Sequence, residues 1–240
     1  MPAMKCLSKV IAVKQLTHDV KEISLRMIAP TRVIFKAGQY IAIEVTEIKE
    51  GRPRQNNRPY SIVSPPEEPE VIKLCVNLVP GGPGSTYLHN LQIGDEVPFL
   101  YPLGYFIIKN DNASALIFVA TGTGIAPIQS MIKHLINRGS QRKMTLYWGL
   151  RQERDLYYQA FYIGLAEKHP FFHYKPTLSQ PSSEWRGLRG RVTEHISKNI
   201  VLNQGEEAYL CGNGTMIREV RAMLLEKGLT KQSIHFEKYY

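Results

Sequence analysis

The sequence is short of cysteine. Its three cysteines, Cys6, Cys75 and Cys211, stand far apart, with no CxxC pair and no cluster of four. That argues against a zinc site or a cysteine-ligated iron–sulfur cluster within these 240 residues and gives no disulfide framework. No apolar run reaches the roughly 18 residues that a membrane-spanning helix needs. The stretch from Met1 to Val20 has neither the unbroken apolar core nor the small-residue cleavage site of a secretory leader, so a cytoplasmic location is the expectation. Internal repeats and low-complexity segments are absent. Acidic residues are outnumbered: 30 Lys and Arg against 21 Asp and Glu leave a net charge of +9. A basic surface draws acidic partners. The cations are scattered, however, and no helix-turn-helix, RRM or zinc-finger pattern accompanies them, so nucleic acid is not expected. An acidic protein partner and an ordinary solvated surface both fit the charge.

Two rhythms divide what is present. Over 6–16 and 20–28 apolar and polar residues alternate at period two, the pattern of strands with one buried face. Further strands are expected over 38–45, 58–64, 70–79 and, once or twice, within 95–108. The stretch 46–57 reads as a polar loop, and 85–94 as a short helix opened by a Ser/Thr cap. Short strands broken by Gly and Pro predict a small antiparallel barrel. After a linker at 109–114, residues 115–120 form a continuous apolar run, as in a buried parallel strand. Helices over 126–139, 156–169, 192–200 and 215–228 then alternate with strands over 143–149, 171–178, 207–212 and 233–240. That alternation predicts a doubly wound parallel sheet. The expected organisation is a Greek-key antiparallel β-barrel domain at 1–110 followed by a doubly wound α/β domain at 111–240.

The α/β half carries a phosphate signature. Its first strand runs into Thr121-Gly122-Thr123-Gly124, and a helix follows from Ile125-Ala126-Pro127. Glycines let the chain turn tightly and come close to a phosphate. The new helix presents unpaired N–H groups and the positive end of its dipole. Pro127 suits a first helical turn, where no N–H is needed, although it replaces the third glycine of GxGxxG and makes the match partial. Two more strand ends are expected on the same carboxyl edge, where open α/β sheets take ligands. One carries Trp148, Gly149 and Arg151; the other carries Cys211, Gly212, Asn213 and Gly214. Nothing near Cys211 supplies a general base, so it does not read as a nucleophile.

In the barrel half, Arg58-Pro59-Tyr60-Ser61 opens a strand with a cation, a ring and a hydroxyl. Arg58 can grip a pyrophosphate with its planar fork, Tyr60 can lie against a flat ring, and Ser61 can hydrogen-bond a polar ring atom. Strand alternation sends Tyr60 and Ser61 to opposite faces, so a ligand meeting both lies at a strand end or edge. The stretch GGPGST, 81–86, is a second anion cradle, with glycines ahead of a helix start. Singly, each stretch is a turn with a cap. Together they specify one phosphate-bearing ligand.

Taken in order, Arg58-Pro59-Tyr60-Ser61, Gly84-Ser85-Thr86, Gly122 to Pro127 and Cys211-Gly212-Asn213-Gly214 resemble the ferredoxin–NADP reductase superfamily over nearly the whole chain. The resemblance implies that the barrel binds FAD. Arg58 and the Gly84, Ser85 and Thr86 segment would hold its pyrophosphate, with Pro59 part of the motif. Tyr60 would stack on the flavin side, Ser61 would lie near N5, and backbone groups around Val76, Asn77 and Leu78 would address the pyrimidine end. It implies that the α/β domain binds NADH or NADPH, with Gly122, Thr123, Gly124, Ile125, Ala126 and Pro127 at the pyrophosphate. Cys211 and Gly212 would lie by the nicotinamide, with Arg151 and Asn213 also holding the coenzyme. Either Tyr239 or Tyr240 would be the terminal ring near the flavin. Members devoted to NADPH often carry Ser-Arg where this chain has Ser179-Gln180. Arg186, Arg189 and Arg191 are close in sequence, and the choice of coenzyme stays open. The implied activity is hydride transfer from NAD(P)H to FAD and delivery of electrons to a separate acidic carrier such as ferredoxin or flavodoxin. A reductase of free flavin, which the 147–158 and 179–187 stretches also resemble, is the alternative.

Overall fold

The computed structural model describes residues 4–49, 51–200 and 202–239. By their contacts they fall into two units. One runs to Ile107 and takes in Gln129–Arg138; the other comprises Ile108–Ile128 and the chain from Gly139 onward.

The first unit contains β1 (Met4–Gln15), β2 (Val20–Ala29), β3 (Tyr40–Lys49), β4 (Arg52–Ser61), β5 (Val71–Asn77), helix α1 (Pro83–Asn90) and β6 (Glu96–Leu103). Its strands form one antiparallel sheet in the order β4-β3-β6-β1-β2-β5. The last strand thus enters between β3 and β1, a Greek-key path. The sheet curls on itself just beyond β4, where Ile62 bridges Leu74 and the Val63 N–H donates to the Lys73 carbonyl at 2.8 Å. Period-two alternation fills the inside. Along β1, Cys6, Ser8 and Val10 are buried while Lys5 and Lys9 are exposed. Ile23, Leu25, Ile41, Ile43, Ile72 and Leu74 complete the core. The buried Ser8 hydroxyl donates to the Val97 carbonyl at 3.0 Å, so its burial leaves no polar group unpaired.

Two local expectations are corrected. Within the stretch read as loop, 46–49 and 52–57 are strand: β3 and β4 pair without a break from Tyr40 opposite Ser61 to Lys49 opposite Arg52, and Gly51, at φ +73°, lies in the turn. Every residue from Arg52 to Asn57 is exposed, so the alternation that betrays a strand is missing there. The helix expected over 85–94 runs Pro83–Asn90. Gly82 is its cap and Pro83, which needs no N–H partner, opens it.

From Ala115 the chain gives β7 (Ala115–Thr121), α2 (Ile125–Asn137), β8 (Lys143–Leu150), α3 (Gln159–Lys168), β9 (Phe172–Leu178), β10 (Leu188–Arg189), α4 (Val192–Asn199), β11 (Glu206–Gly212), α5 (Gly214–Glu226) and β12 (Ile234–Lys238). The strands are parallel, in the order β10-β9-β8-β7-β11-β12. The central pair, β7 and β11, is buried along nearly its whole length, which is what their apolar runs require. Val192, Ile196, Met216 and Val220 of α4 and α5 pack with Val119 and Leu210. Helix α3 starts later than the 156–169 pattern predicts. A 3-10 turn at Glu153–Asp155 and Tyr158, in the left-handed region at φ +55°, come first.

The winding goes from β7 through β8, β9 and β10, then returns to β11 on the other side of β7. Strand order therefore reverses between β7 and β11. Their carboxyl ends, Thr121 and Gly212, frame the place where such sheets bind ligands. No helix among the described residues is long and apolar enough to cross a membrane.

Candidate functional site

Register with β3 sets the end of β4. Arg58 stands opposite Ile43, Tyr60 opposite Ile41 and Ser61 opposite Tyr40. Arg58 and Tyr60 therefore share one face, and Pro59 and Ser61 the other. Tyr60 is partly buried against the barrel core, Ser61 is buried and Pro59 is exposed. Helix α1 begins over the Arg58–Tyr60 face. A Cβ on Gly84 would lie 2.3 Å from the Tyr60 hydroxyl and 3.0 Å from Arg58 Cγ, so only glycine allows this approach. The cradle thus brings the first turn of a helix, with its unpaired N–H groups, to an arginine stem.

Bonds at both ends of α1 hold the cradle in place. The Ser85 hydroxyl accepts from the Val79 N–H at 3.1 Å and donates to the Gly82 carbonyl at 3.0 Å. Its side chain is therefore spent on the loop, and its backbone N–H is what it offers an anion. Thr86, exposed, already bonds the Gly82 carbonyl through its N–H at 3.0 Å. At the other end, Lys21 Nζ donates to the His89 carbonyl at 2.7 Å, where a cation suits the helix dipole, and His89 Nε2 meets the Val76 carbonyl at 3.0 Å. The Leu78 N–H donates to the Asp19 carbonyl at 2.7 Å. Two of the backbone groups around Val76, Asn77 and Leu78 are thus already bonded within the protein. Arg58 pairs with Glu47 of β3, which holds its fork in place and offsets its charge.

The second site is built around three glycines. β7 passes to α2 through a 3-10 turn at Gly122–Gly124. Gly122 has φ +53° and nothing within 4 Å of where a Cβ would be, so the main chain there is open to a close approach. At Gly124 a Cβ would lie 2.4 Å from the Cys211 carbonyl oxygen. At Gly212, with φ +130°, it would lie 2.3 Å from Thr121 Oγ1 and 2.8 Å from the Thr121 carbonyl oxygen. These two glycines let the end of β11 press main chain to main chain on the turn. The Asn213 N–H donates to Thr121 Oγ1 at 2.9 Å, and Asn213 Oδ1 accepts from the Thr215 N–H at 2.8 Å, capping α5. The buried Trp148 donates through Nε1 to the Gly122 carbonyl at 3.0 Å. Thr123, Gly124, Ile125, Ala126 and Pro127 are all buried, and Gly122 is the one residue of that run at the surface.

Beside this turn lies a cleft of about 390 Å³, lined in part by Thr121, Ser179, Arg191, Asn213, Thr215 and Glu219. Among the described residues lining it, Arg191 is the one cation and Glu219 the one anion. Arg189 is committed elsewhere, to the carbonyls of Ser183 at 3.0 Å and Trp185 at 2.7 Å. Arg151 is exposed at the end of β8, and its carbonyl accepts the Gln180 N–H at 2.8 Å. Thr193 and Glu219 also line the cleft, although no motif marks them. The packing of α4 against α5 brings them there. Thr121 did have a signal, its place just before the glycine turn.

Cys211 is fully buried. Burial pushes its thiol well above the ordinary range, and the Glu237 carboxylate adds to this, while hydrogen bonds from Tyr239 and Gly212 oppose it. It is a neutral thiol at physiological pH. The Tyr239 N–H donates to the Gly212 carbonyl at 2.9 Å, which continues the β11–β12 pairing and sets Tyr239 beside Cys211. Tyr240 lies outside the described residues.

A family model described as an oxidoreductase FAD-binding domain matches residues 8–108, and one described as an oxidoreductase NAD-binding domain matches 118–222. Ferredoxin–NADP reductase B of Sorangium cellulosum (strain So ce56) is 30% identical over 239 residues, 97% of this chain and 96% of that protein. The chain belongs to the ferredoxin–NADP reductase superfamily. The reductase component DmpP of phenol 2-monooxygenase from Pseudomonas sp. (strain CF600) is 33% identical over 235 residues; the match takes in 96% of this chain and 64% of the Pseudomonas protein. Among solved structures, the Amycolatopsis cytochrome P450 reductase GcoB aligns with a TM-score of 0.86 at 27% identity, over 99% of this chain and 70% of that one. In this superfamily member the barrel is the FAD-binding part and the doubly wound sheet the NAD(P)-binding part. Both cradles fit a pyrophosphate: at Gly122 the main chain beside a helix start is open, and at Gly84 the helix start is brought against an arginine.

Proposed function

We propose that this reductase oxidises NADH or NADPH at bound FAD and delivers the electrons to a separate acidic carrier of the ferredoxin or flavodoxin kind. The FAD domain is assigned to 1–110 and the coenzyme domain to 111–240. Bound FAD supplies a ring that takes a hydride from nicotinamide and gives up electrons one at a time. The observation that carries the reading is the start of α1 held against the Arg58 stem and the Tyr60 hydroxyl, an approach that glycine at position 84 permits. It favours a retained dinucleotide over a flavin that comes and goes.

The protein's residues then divide the work of binding and positioning. Arg58 holds the FAD pyrophosphate with its fork while Glu47 keeps that fork oriented. The N–H groups of Gly84 and Ser85 complete the grip, and Tyr60 and Ser61 hold the ring. The backbone from Val76 to Leu78, stiffened by His89 and Asp19, holds the pyrimidine end. In the coenzyme domain, Gly122 and the start of α2 take the pyrophosphate. Arg191 takes the 2′-phosphate of NADPH, the role that Gln180 cannot fill. Glu219 accepts from sugar hydroxyls, so both coenzymes are used. Cys211, a neutral thiol, packs by the nicotinamide without exchanging a proton, and Tyr239 covers the ring beside it. The net charge of +9 suits an acidic carrier.

Dialysis followed by rapid mixing tests this. The protein should keep FAD through dialysis, be reduced by NADH and by NADPH, and reduce an acidic ferredoxin or flavodoxin. Loss of FAD on dialysis, with turnover of free flavin, would replace this reading with the free-flavin reductase. Arg191→Ala should weaken NADPH binding by about ten-fold and leave NADH unchanged. Equal loss for both coenzymes would remove Arg191 from the 2′-phosphate.

A further inference from the structure

Several large apolar side chains of the barrel unit stand mostly in water; among the described residues Tyr105, 88% exposed, and Ile34, 75% exposed, lead, ahead of Ile48 at 72% and Ile93 at 71%. Tyr105 and Ile34 stand on well-anchored backbone. The extended segment between β2 and β3 sends Val33, Phe35 and Ala37 inward and Arg32, Ile34 and Lys36 outward. Past β6, Phe106 goes inward and Tyr105 outward. The two segments run side by side. Gln39 Nε2 donates to the Gly104 carbonyl at 3.2 Å, and the Ile34 N–H donates to the Tyr101 hydroxyl at 3.4 Å. A Cβ on Gly38, at φ +97°, would lie 2.0 Å from the Phe106 carbonyl oxygen, so the main chains touch there. The Lys36 N–H donates to Gln39 Oε1 at 2.8 Å and fixes the turn that follows. Of the nearby acids, Glu67 is paired with His134 at 2.6 Å and Glu68 with Lys73 at 3.4 Å.

We propose that Ile34 and Tyr105, rimmed by Arg32 and Lys36, form the docking surface for the acidic electron-carrier protein. The proposal rests on the carrier reading above. A tyrosine held on rigid backbone has few torsions to freeze and a large area to cover, which makes it an effective anchor. Ile34 extends the apolar contact. Arg32 and Lys36 steer a negatively charged partner onto it and fix its orientation. Ile34 and Tyr105 stand out from the other exposed apolar residues because their two segments are bonded side by side, with the cations Arg32 and Lys36 pointing outward beside Ile34. The occupant that fits is a small protein with a negative rim around an apolar contact.

The test uses the FAD-loaded full chain and two probes, an acidic [2Fe–2S] ferredoxin and an acidic flavodoxin, with Kd read by calorimetry at low and moderate salt. Ferricyanide turnover serves as the control. Ile34→Ser with Tyr105→Ser should weaken carrier binding by about ten-fold or more. Arg32→Glu with Lys36→Glu should weaken it and flatten its salt dependence. Ferricyanide turnover should be unchanged in both. Carrier binding equal to the parent's in these variants overturns the surface and leaves the carrier reading standing. Loss of ferricyanide turnover together with binding also overturns the surface, because it places these residues in the redox site. A parent that binds neither carrier overturns both ideas.

Discussion

Glycine serves opposite ends in the two cradles. At Gly84 the missing Cβ makes room for side chains, the Tyr60 hydroxyl and the Arg58 stem. At Gly124 and Gly212 it makes room for main chain, the end of β11 against the turn after β7. A hydroxyl at the tip of a ring can move by a few tenths of an ångström. Paired main chain in the middle of a buried sheet cannot move without opening the sheet. The cradle at Gly84 is therefore adjustable, and the turn after β7 is brittle.

Gly212→Ala attacks the brittle side and should have the largest effect. It adds strain at φ +130° to contacts of 2.3 and 2.8 Å with Thr121, for a cost of about 3 kcal/mol or more. The midpoint of urea unfolding should fall accordingly; an unshifted midpoint would show that β11 can part from the turn. Gly84→Ala should cost less, about 1–2 kcal/mol, and should lower FAD retention while leaving coenzyme affinity intact. Adding Tyr60→Phe removes the 2.3 Å contact and should restore part of the loss, read as a coupling in a double-mutant cycle. A double variant no better than Gly84→Ala alone would mean that the obstacle is not the hydroxyl, and the contrast between the cradles would fail.

The smallest effect concerns pH. Burial raises the Cys211 thiol above its ordinary value of 9.0. The folded state therefore keeps a proton that the unfolded chain loses as pH rises. The stability this gives is full below about pH 9 and is lost as pH climbs toward the folded value. Cys211→Ser should reduce the alkaline fall in unfolding free energy by less than about 1 kcal/mol at pH 9.5. Parallel curves for parent and variant from pH 7 to 10 would show that the thiol ionises equally in both states.

The two rhythms of the sequence were legible for a physical reason. A strand with one wet face must alternate, as β1 does with Lys5 and Lys9 out and Cys6 and Val10 in. A strand covered on both faces must be apolar throughout, as β7 is. Where a strand has no buried face the rule goes silent, and Arg52–Asn57 read as loop although they pair with β3 along their length. The two glycine turns were legible as glycine next to a helix start. Which hydroxyl was already spent was not: Ser85 bonds to Val79 and Gly82. Nor was it legible which arginine reaches the cleft, since Arg189 and Arg191 are two residues apart and only the loop's own carbonyls distinguish them.

The sequence alone determined the two architectures and the places where a helix start meets glycine, because both depend on neighbours a few residues away. Tertiary structure alone decided what each glycine is for. Thr121 and Asn213 are 92 residues apart in sequence, yet their hydrogen bond ties the end of β11 to the turn after β7. Whether a missing Cβ faces a ligand, a hydroxyl or another main chain depends on which distant strand arrives there, and no local pattern records that arrival.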